Sequence, residues 1–143
     1  MALSFRFPGH PASEAELAVS CRCLDALGTQ VHDAYHTARR YGLAVAWLEG
    51  SRIEAEVEGA INAGCPVLAN IHTRTLPYYQ LSQEAMTSVL IVGIDNQYVF
   101  LHDPEPLLGG PYRKVKRVCF FSGWANSLCS AYRVYSERKG SQL

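Results

Sequence analysis

The sequence predicts an α+β domain in which helices come first and a mostly antiparallel sheet follows. Up to residue 64 apolar residues recur at helical spacing between capping residues and glycines. From Pro66 onward, short β-branched and apolar runs alternate with turn residues, which is typical of strands. The length of 143 residues and the 48% apolar content indicate one core. We predict one domain over residues 1–136 and a frayed tail over 137–143.

The first half of the chain carries clear helix boundaries. Two capping boxes, each a serine followed three residues later by glutamate, begin the first and third helices at Ser13 and Ser51. Gly28, Gly42 and Gly64 stand where the three helices end, because glycine readily adopts the left-handed conformation that closes a helix. These signals predict helices over residues 14–26, 29–41 and 51–63, and a strand over 43–48.

The second half reads as strands joined by turns. Asp95-Asn96-Gln97 predicts a tight turn between two antiparallel strands, and Gly109-Gly110-Pro111 breaks the chain before a basic edge strand. The strand before Asp95 is almost wholly apolar, which predicts burial on both faces. We predict strands over 66–72, 87–94, 98–102, 112–118 and 130–135, a loop over 73–84 and a short helix over 120–126.

Charge and composition exclude several classes of function. Thirteen Lys and Arg balance 13 Asp and Glu, so no basic surface supports binding of a nucleic-acid backbone. No apolar run approaches the roughly 20 residues that span a bilayer, and we expect no membrane insertion. The cysteines are odd in number and irregularly spaced, which favours reduced thiols and a cytoplasmic location; they are Cys21, Cys23, Cys65, Cys119 and Cys129.

Two groups of residues are candidates for a metal site or a catalytic site. His32 and His36 lie four residues apart on a predicted helix, but Asp33 lies off their face and no third ligand follows; we predict no metal. No glycine-rich phosphate loop is present, and we predict no cofactor. Asp103, before Pro104, places a carboxylate at the rim of the sheet, where it can orient a histidine in a catalytic triad. The same residues also fit an aspartate that makes a turn before proline.

Five segments follow one another in a characteristic order and spacing: AGCPVL over 63–68, LPYY over 76–79, VLIVGID over 89–95, VFLHDP over 99–104 and FFSGW over 120–124. Together they resemble the bacteriocin-processing cysteine peptidases of family thirty-nine and their stand-alone relatives. The resemblance implies a papain-like fold. It also implies a nucleophilic cysteine on an N-terminal helix, a histidine at the start of the central strand and the aspartate of the Asp-Pro turn.

Carried onto this sequence, the resemblance matches only one of these three residues. It assigns the acid of the triad to Asp103 and places Thr87 where the family has its histidine. A threonine hydroxyl cannot accept a proton near neutral pH, so we do not expect Thr87 to act as a base. The nucleophile position falls before Met1, which predicts that the first, nucleophile-bearing helix is truncated.

We therefore expect a degenerate or truncated peptidase-like domain that is inactive and retains a cleft for a peptide or protein segment. The residues expected to form the cleft are Leu76, Tyr78, Tyr79, His72 and His102. The face left by the missing helix offers a surface for self-association. The alternative is an active peptidase or acyltransferase in a longer parent protein. Its nucleophile would lie upstream of Met1, and a displaced histidine would be the base.

Overall fold

An antiparallel sheet with helices on both faces forms the domain. The computed structural model describes residues 12–23, 29, 31–48, 52–79, 85–105, 107–125 and 130–136. Within them the helices are α1 (Glu14–Ser20), α2 (Val31–Arg40), α3 (Ile53–Asn62) and α4 (Arg117–Ala125), with a 3-10 helix over Thr73–Thr75. The strands are β1 (Leu43–Trp47), β2 (Val67–His72), β3 (Met86–Ile94), β4 (Tyr98–Asp103), β5 (Gly110–Lys116) and β6 (Ser130–Ser136).

The strand order in this sheet is β1-β6-β2-β3-β4-β5, and every neighbouring pair is antiparallel. Strands β2 to β5 follow one another as a meander, whereas β6 inserts between β1 and β2. The α+β class and the antiparallel sheet are therefore confirmed. As the basic residues predicted, β5 lies at one edge.

The two faces of the sheet differ in how they are covered. On the first face, α3 and α4 cover β2 to β5 and build the main core around Val57, Phe120 and Trp124. On the second face, α2 packs on β1, and a smaller cluster forms around Leu43 and Val134. Side chains alternate between the faces along each strand, so the register decides which residues can meet.

The helix ends show why one predicted boundary was wrong. Gly64 has φ +71° and closes α3, with N–H groups of Gly64 and Cys65 bonded back to Ile61 and Ala60, as predicted for a glycine stop. The same pair of backward bonds ends α1 at Ser20, six residues before the predicted end. There the left-handed residue is Arg22, φ +50°. Because arginine rarely adopts this conformation, the sequence carried no stop signal.

Two further boundaries moved. Helix α3 begins at Ile53 with Arg52 as an N-cap that makes no side-chain bond, and Ser51 lies outside the described residues. Helix α4 begins at Arg117, directly after β5, three residues before the predicted start. The N–H of Arg117 bonds to the carbonyl of Gln97, and its guanidinium donates to Glu54 at 2.6 Å and Glu58 at 2.8 Å. This anchoring begins the helix where the edge strand was expected to continue.

The turn of the β3–β4 hairpin is as predicted, but β3 is less buried than predicted. The Asp95 carboxylate accepts the N–H groups of Gln97 at 2.7 Å and Tyr98 at 2.6 Å. Strand β3 is buried only over residues 89–91, and Met86 is 52% exposed, because the described helices leave this end of the second face open. None of the helices in the described ranges is long and apolar enough to cross a membrane.

Candidate active site

Asp103 lies at the end of β4 and is 3% exposed. Its carboxylate accepts the Tyr78 hydroxyl at 2.9 Å on one oxygen. The other oxygen accepts the Tyr79 hydroxyl at 3.2 Å and the Glu105 N–H at 3.0 Å. A buried carboxylate needs such donors, since an unpaired charge in this position is costly. The bond from the Glu105 N–H closes a turn through Pro104, one of the two roles that the sequence left open for Asp103, and the role of triad acid stays a prediction.

The segment after β2 carries both tyrosines to Asp103. The 3-10 helix is fixed by the Thr75 hydroxyl, which donates to the carbonyl of His72 at 2.9 Å. Two hydrogen bonds join Thr73 and Ala85. The Thr73 N–H donates to the Ala85 carbonyl at 2.8 Å, and the Ala85 N–H donates to the Thr73 hydroxyl at 3.2 Å. Leu76 is 1% exposed and anchors the segment in the main core. The predicted LPYY loop is thus a fixed turn whose two phenols cover the carboxylate.

Thr87 belongs to the same cluster. The strand register pairs Thr87 with Ile71, and alternation from the Ile91–Leu101 pair places Thr87 and Asp103 on one face of the sheet. The Thr87 side chain lies close enough to the Tyr79 hydroxyl to lower the pKa of that phenol. Tyr79, which donates to Asp103, is therefore next to both positions that the resemblance assigns to the triad.

The surroundings keep both phenols protonated. Burial, opposed by the Thr87 side chain and reinforced by the hydrogen bond to Asp103, raises the pKa of Tyr79 to about 12. Burial and then the hydrogen bond and charge of Asp103 raise the pKa of Tyr78 still further, although the Arg113 guanidinium, 4.8 Å from the ring centroid, opposes the shift. The phenols are consequently stable donors to Asp103, and neither is a base at neutral pH.

The two predicted cleft histidines lie on the second face. His102 is next to Asp103 in β4 and therefore points to the opposite side. Its Nδ1 accepts the Tyr112 N–H at 3.2 Å, the two rings are 4.6 Å apart, and burial lowers the pKa of His102. His72 pairs with Met86, one position along from the Ile71–Thr87 pair, and so also lies on the second face. The structure brings together Asp103, Thr87, Tyr78 and Tyr79, with Leu76 beneath them, and separates the histidines from them.

The described thiols are dispersed. Cys21 and Cys23 follow α1, Cys65 precedes β2, Cys119 is exposed on α4, and all four are free. Among the described residues, the groups that hydrogen-bond to Asp103 are two phenols and a backbone N–H, with no thiol or imidazole. Residues 1–11 and Cys129 lie outside the described part of the chain, so the predicted position of the nucleophile stays a prediction.

A shallow cleft of about 690 Å³ opens beside Tyr78 and was missed in the sequence. The edge strand and the turn before it supply most of its lining; the lining residues are Pro77, Tyr78, Gly109, Gly110, Pro111, Tyr112, Arg113 and Lys114. Tyr112 is 69% exposed with φ +53°. The signal in the sequence for this cleft is Tyr112, an aromatic residue directly after Gly109-Gly110-Pro111.

Metal-ligating side chains do not gather within the described ranges, where no group of three or more His, Cys, Asp or Glu comes together. His36 lies against the ring of Tyr35, with ring centroids 5.8 Å apart. The side chain of His32 is outside the description, so the predicted spacing of the pair is seen only in the backbone of α2.

Comparison with known proteins agrees with this architecture. A solved structure of a candidate C39-like peptidase from Bacillus anthracis superposes with a TM-score of 0.61 at 18% identity, covering 94% of this chain and 85% of that chain. Comparison with curated proteins gave no significant match. The sequence model of the peptidase C39-like family matches residues 2–132. The chain therefore belongs to the peptidase C39-like family.

Proposed function

We propose that this chain is a non-catalytic member of its family, a degenerate relative of the bacteriocin-processing peptidases that binds a peptide or protein segment without cutting it. The observation that carries the proposal is the pair of hydrogen bonds by which the Tyr78 and Tyr79 hydroxyls occupy the two oxygens of Asp103. The aspartate, which in the resembled peptidases orients an imidazole, is here bonded to two phenols, and a hydroxyl stands at the position of the base.

The chemistry of these groups supports loss of cleavage. Activating a thiol needs a base with a pKa near the working pH, and a threonine hydroxyl or a phenol with a raised pKa cannot supply one. An imidazole entering from solvent would have to displace Tyr79 from a buried carboxylate. The free thiols of Cys21, Cys23, Cys65 and Cys119 agree with a reducing, cytoplasmic location, which is part of the proposal.

The cleft beside Tyr78 is the proposed binding surface. Tyr112 offers exposed aromatic area, and Arg113 and Lys114 place cations at the same rim. Their guanidinium and ammonium groups lie over the rings of Tyr78 at 4.8 Å and Tyr98 at 3.7 Å. This combination suits an extended peptide that pairs an apolar side chain with a carboxylate. The proposal also includes self-association through the face that the sequence analysis assigned to it. The partner at that face would be a second copy of this chain.

Activity is tested with the full chain. We expect an epoxide probe for cysteine peptidases to label the protein no faster than it labels free cysteine, and Asp103→Ala to leave that rate unchanged. Stoichiometric labelling, with peptide cleavage abolished by Asp103→Ala, would establish the alternative of an active peptidase or acyltransferase and overturn the proposal.

Binding is tested separately with random 12-residue peptides displayed on phage. Selected peptides, fluorescently labelled, are then measured by anisotropy against the wild type, Tyr112→Ala and Val19→Ala. Val19 is 81% exposed on α1 and is the matched control. We expect Tyr112→Ala to weaken binding at least tenfold and Val19→Ala to leave it unchanged. Equal affinity for all three proteins would refute the assignment of this cleft.

A further inference from the structure

A second cavity, of about 540 Å³, lies on the opposite face of the sheet from Asp103, between that face and helices α1 and α2. All of the strand residues that line it share one face by the register of β1, β6, β2 and β3. The described lining residues are Leu17, Cys21, Thr29, Ala34, Tyr35, Thr37, Ala38, Tyr41, Leu43, Val45, Trp47, Leu68, Asn70, Ser88, Tyr132 and Val134. The volume is within the range of sites for small molecules.

The lining is uncharged. It contains no Asp, Glu, Lys, Arg or His among the described residues, and most of its surface is aliphatic or aromatic. An ionised group placed against the buried part of this lining, beside Leu43 and Val134, would lose its hydration without gaining a partner of opposite charge. The cavity therefore selects against charged ligands, which distinguishes it from the cleft that carries Arg113 and Lys114.

Polar groups converge at one end of the cavity. The Ser88 hydroxyl donates to the side-chain oxygen of Asn70 at 2.5 Å, and the Asn70 amide nitrogen donates to the Ser130 hydroxyl at 3.1 Å. This arrangement fixes the orientation of the Asn70 amide. The Ser88 oxygen can still accept a hydrogen bond through its lone pairs. A ligand with one hydroxyl or amide group can hydrogen-bond there without bringing a charge.

The other end is aromatic and open. Trp47 on the edge strand β1 is 53% exposed, and its ring meets Tyr132 edge to face at 4.7 Å between centroids. From β1 to β3 the cavity crosses three inter-strand spacings, which amounts to about 14 Å. An elongated ligand would cover the exposed indole while its polar end reached Ser88.

We propose that this cavity binds an uncharged, elongated apolar molecule with a single hydrogen-bonding end group, such as a medium-chain alcohol or primary amide. The site is independent of the proposed peptide cleft, because the cavity lies over β1, β6, β2 and β3, whereas the cleft lies at the β5 edge, and the two share no described lining residue. The end group is held by Asn70 and Ser88, and the chain lies along Leu68 and Val45 toward Trp47.

The test uses N-phenyl-1-naphthylamine, a neutral fluorescent probe, with the full chain. We expect saturable binding, energy transfer from Trp47 that Trp47→Phe greatly reduces, and displacement by 1-decanol at least tenfold better than by decanoate. Ala38→Phe fills the cavity and should abolish binding, whereas Ala55→Phe, at an exposed position of α3, should not. Ser88→Ala should weaken competition by decanol several-fold and leave affinity for the probe unchanged.

Two results would overturn the proposal. One is equal competition by decanol and decanoate, and the other is undiminished binding to a folded Ala38→Phe. If Ala38→Phe fails to fold, protection of Cys21 from N-ethylmaleimide by decanol in the wild type decides instead. Unchanged labelling of Cys21 at saturating decanol then refutes the site.

Discussion

Tyr78 and Tyr79 meet both oxygens of a carboxylate that is 3% exposed. The position of Asp103 at the sheet rim could be read from the strand pattern, because an Asp-Pro pair follows an apolar run. Its partners could not, since they lie 25 and 24 residues earlier in the chain. Only the turn of the 3-10 helix brings them close. The sequence predicted a cleft for these tyrosines and carried no signal for their hydrogen bonds to Asp103.

Removing one of these hydroxyls tests the structural role of the pair. Tyr78→Phe leaves a buried carboxylate with one donor fewer, and a hydrogen bond to a charged group contributes about 1.5–3 kcal/mol. We expect the free energy of unfolding, measured in urea at pH 7, to fall by roughly this amount.

The matched control is Tyr112→Phe at a position that is 69% exposed. This change is expected to alter the unfolding free energy by less than about 0.5 kcal/mol. Equal effects of the two substitutions would show that the bond to Asp103 contributes nothing to stability.

At the scale of single elements, local signals located most helices and strands but not all of their ends. Gly42 and Gly64, with φ of +68° and +71°, stand at predicted helix ends. The ends of α1 and β5 depended on Arg22 and Arg117, and arginine has no strong preference for either role. In both cases a backbone hydrogen bond fixes the boundary: the Arg22 N–H bonds to the carbonyl of Val19, and the Arg117 N–H bonds to the carbonyl of Gln97.

Two helical glycines provide a matched pair for testing helix packing. A Cβ atom on Gly123 of α4 would lie 2.8 Å from the Cβ of Thr75 in the 3-10 helix, whereas one on Gly59 of α3 meets nothing within 4 Å. Gly59→Ala should therefore raise the free energy of unfolding by about 0.5–1 kcal/mol through helix propensity. Gly123→Ala should lower it by about 1–3 kcal/mol through overpacking.

A double variant identifies the cause. Thr75→Ser keeps the hydroxyl that bonds to His72 and removes the methyl group that crowds position 123. Combined with Gly123→Ala, it should recover part of the lost stability in urea unfolding. If Gly123→Ala is as stabilising as Gly59→Ala, the close approach of α4 to the 3-10 helix is wrong.

For the whole molecule, the sequence could predict the fold class because the helical and strand halves use different periodicities. It could not predict which face each helix covers, or that β6 inserts beside β1. Those features arise from pairings between distant segments. The cluster of Thr87, Tyr79 and Asp103 also depends on pairing between distant segments. The sequence could therefore predict positions of the candidate site, but not which of its side chains touch.

Global stability should depend on alkaline pH through the two buried phenols. Their pKa values are raised in the folded state, to about 12 for Tyr79, while a tyrosine in the unfolded chain titrates near 10. Between these values the unfolded state loses protons that the folded state keeps. The stabilisation is therefore complete below pH ~10 and is lost as the pH rises toward 12.

Urea unfolding at a series of pH values from 9 to 11.5 measures this slope. The double variant Tyr78→Phe/Tyr79→Phe starts from a lower stability but should lose less with rising pH than the wild type. Parallel curves for the two proteins would contradict the raised pKa values.

The insertion of β6 between β1 and β2 also sets an order for folding during synthesis. The meander from β2 to β5 pairs only strands that are consecutive in the chain, so all four of its strands are available once residue 116 has left the ribosome. Strand β1 is made earlier but pairs with β6 alone. Of the described strands, the first to be synthesised is therefore the last to find its partner, and it waits for residues 130–136.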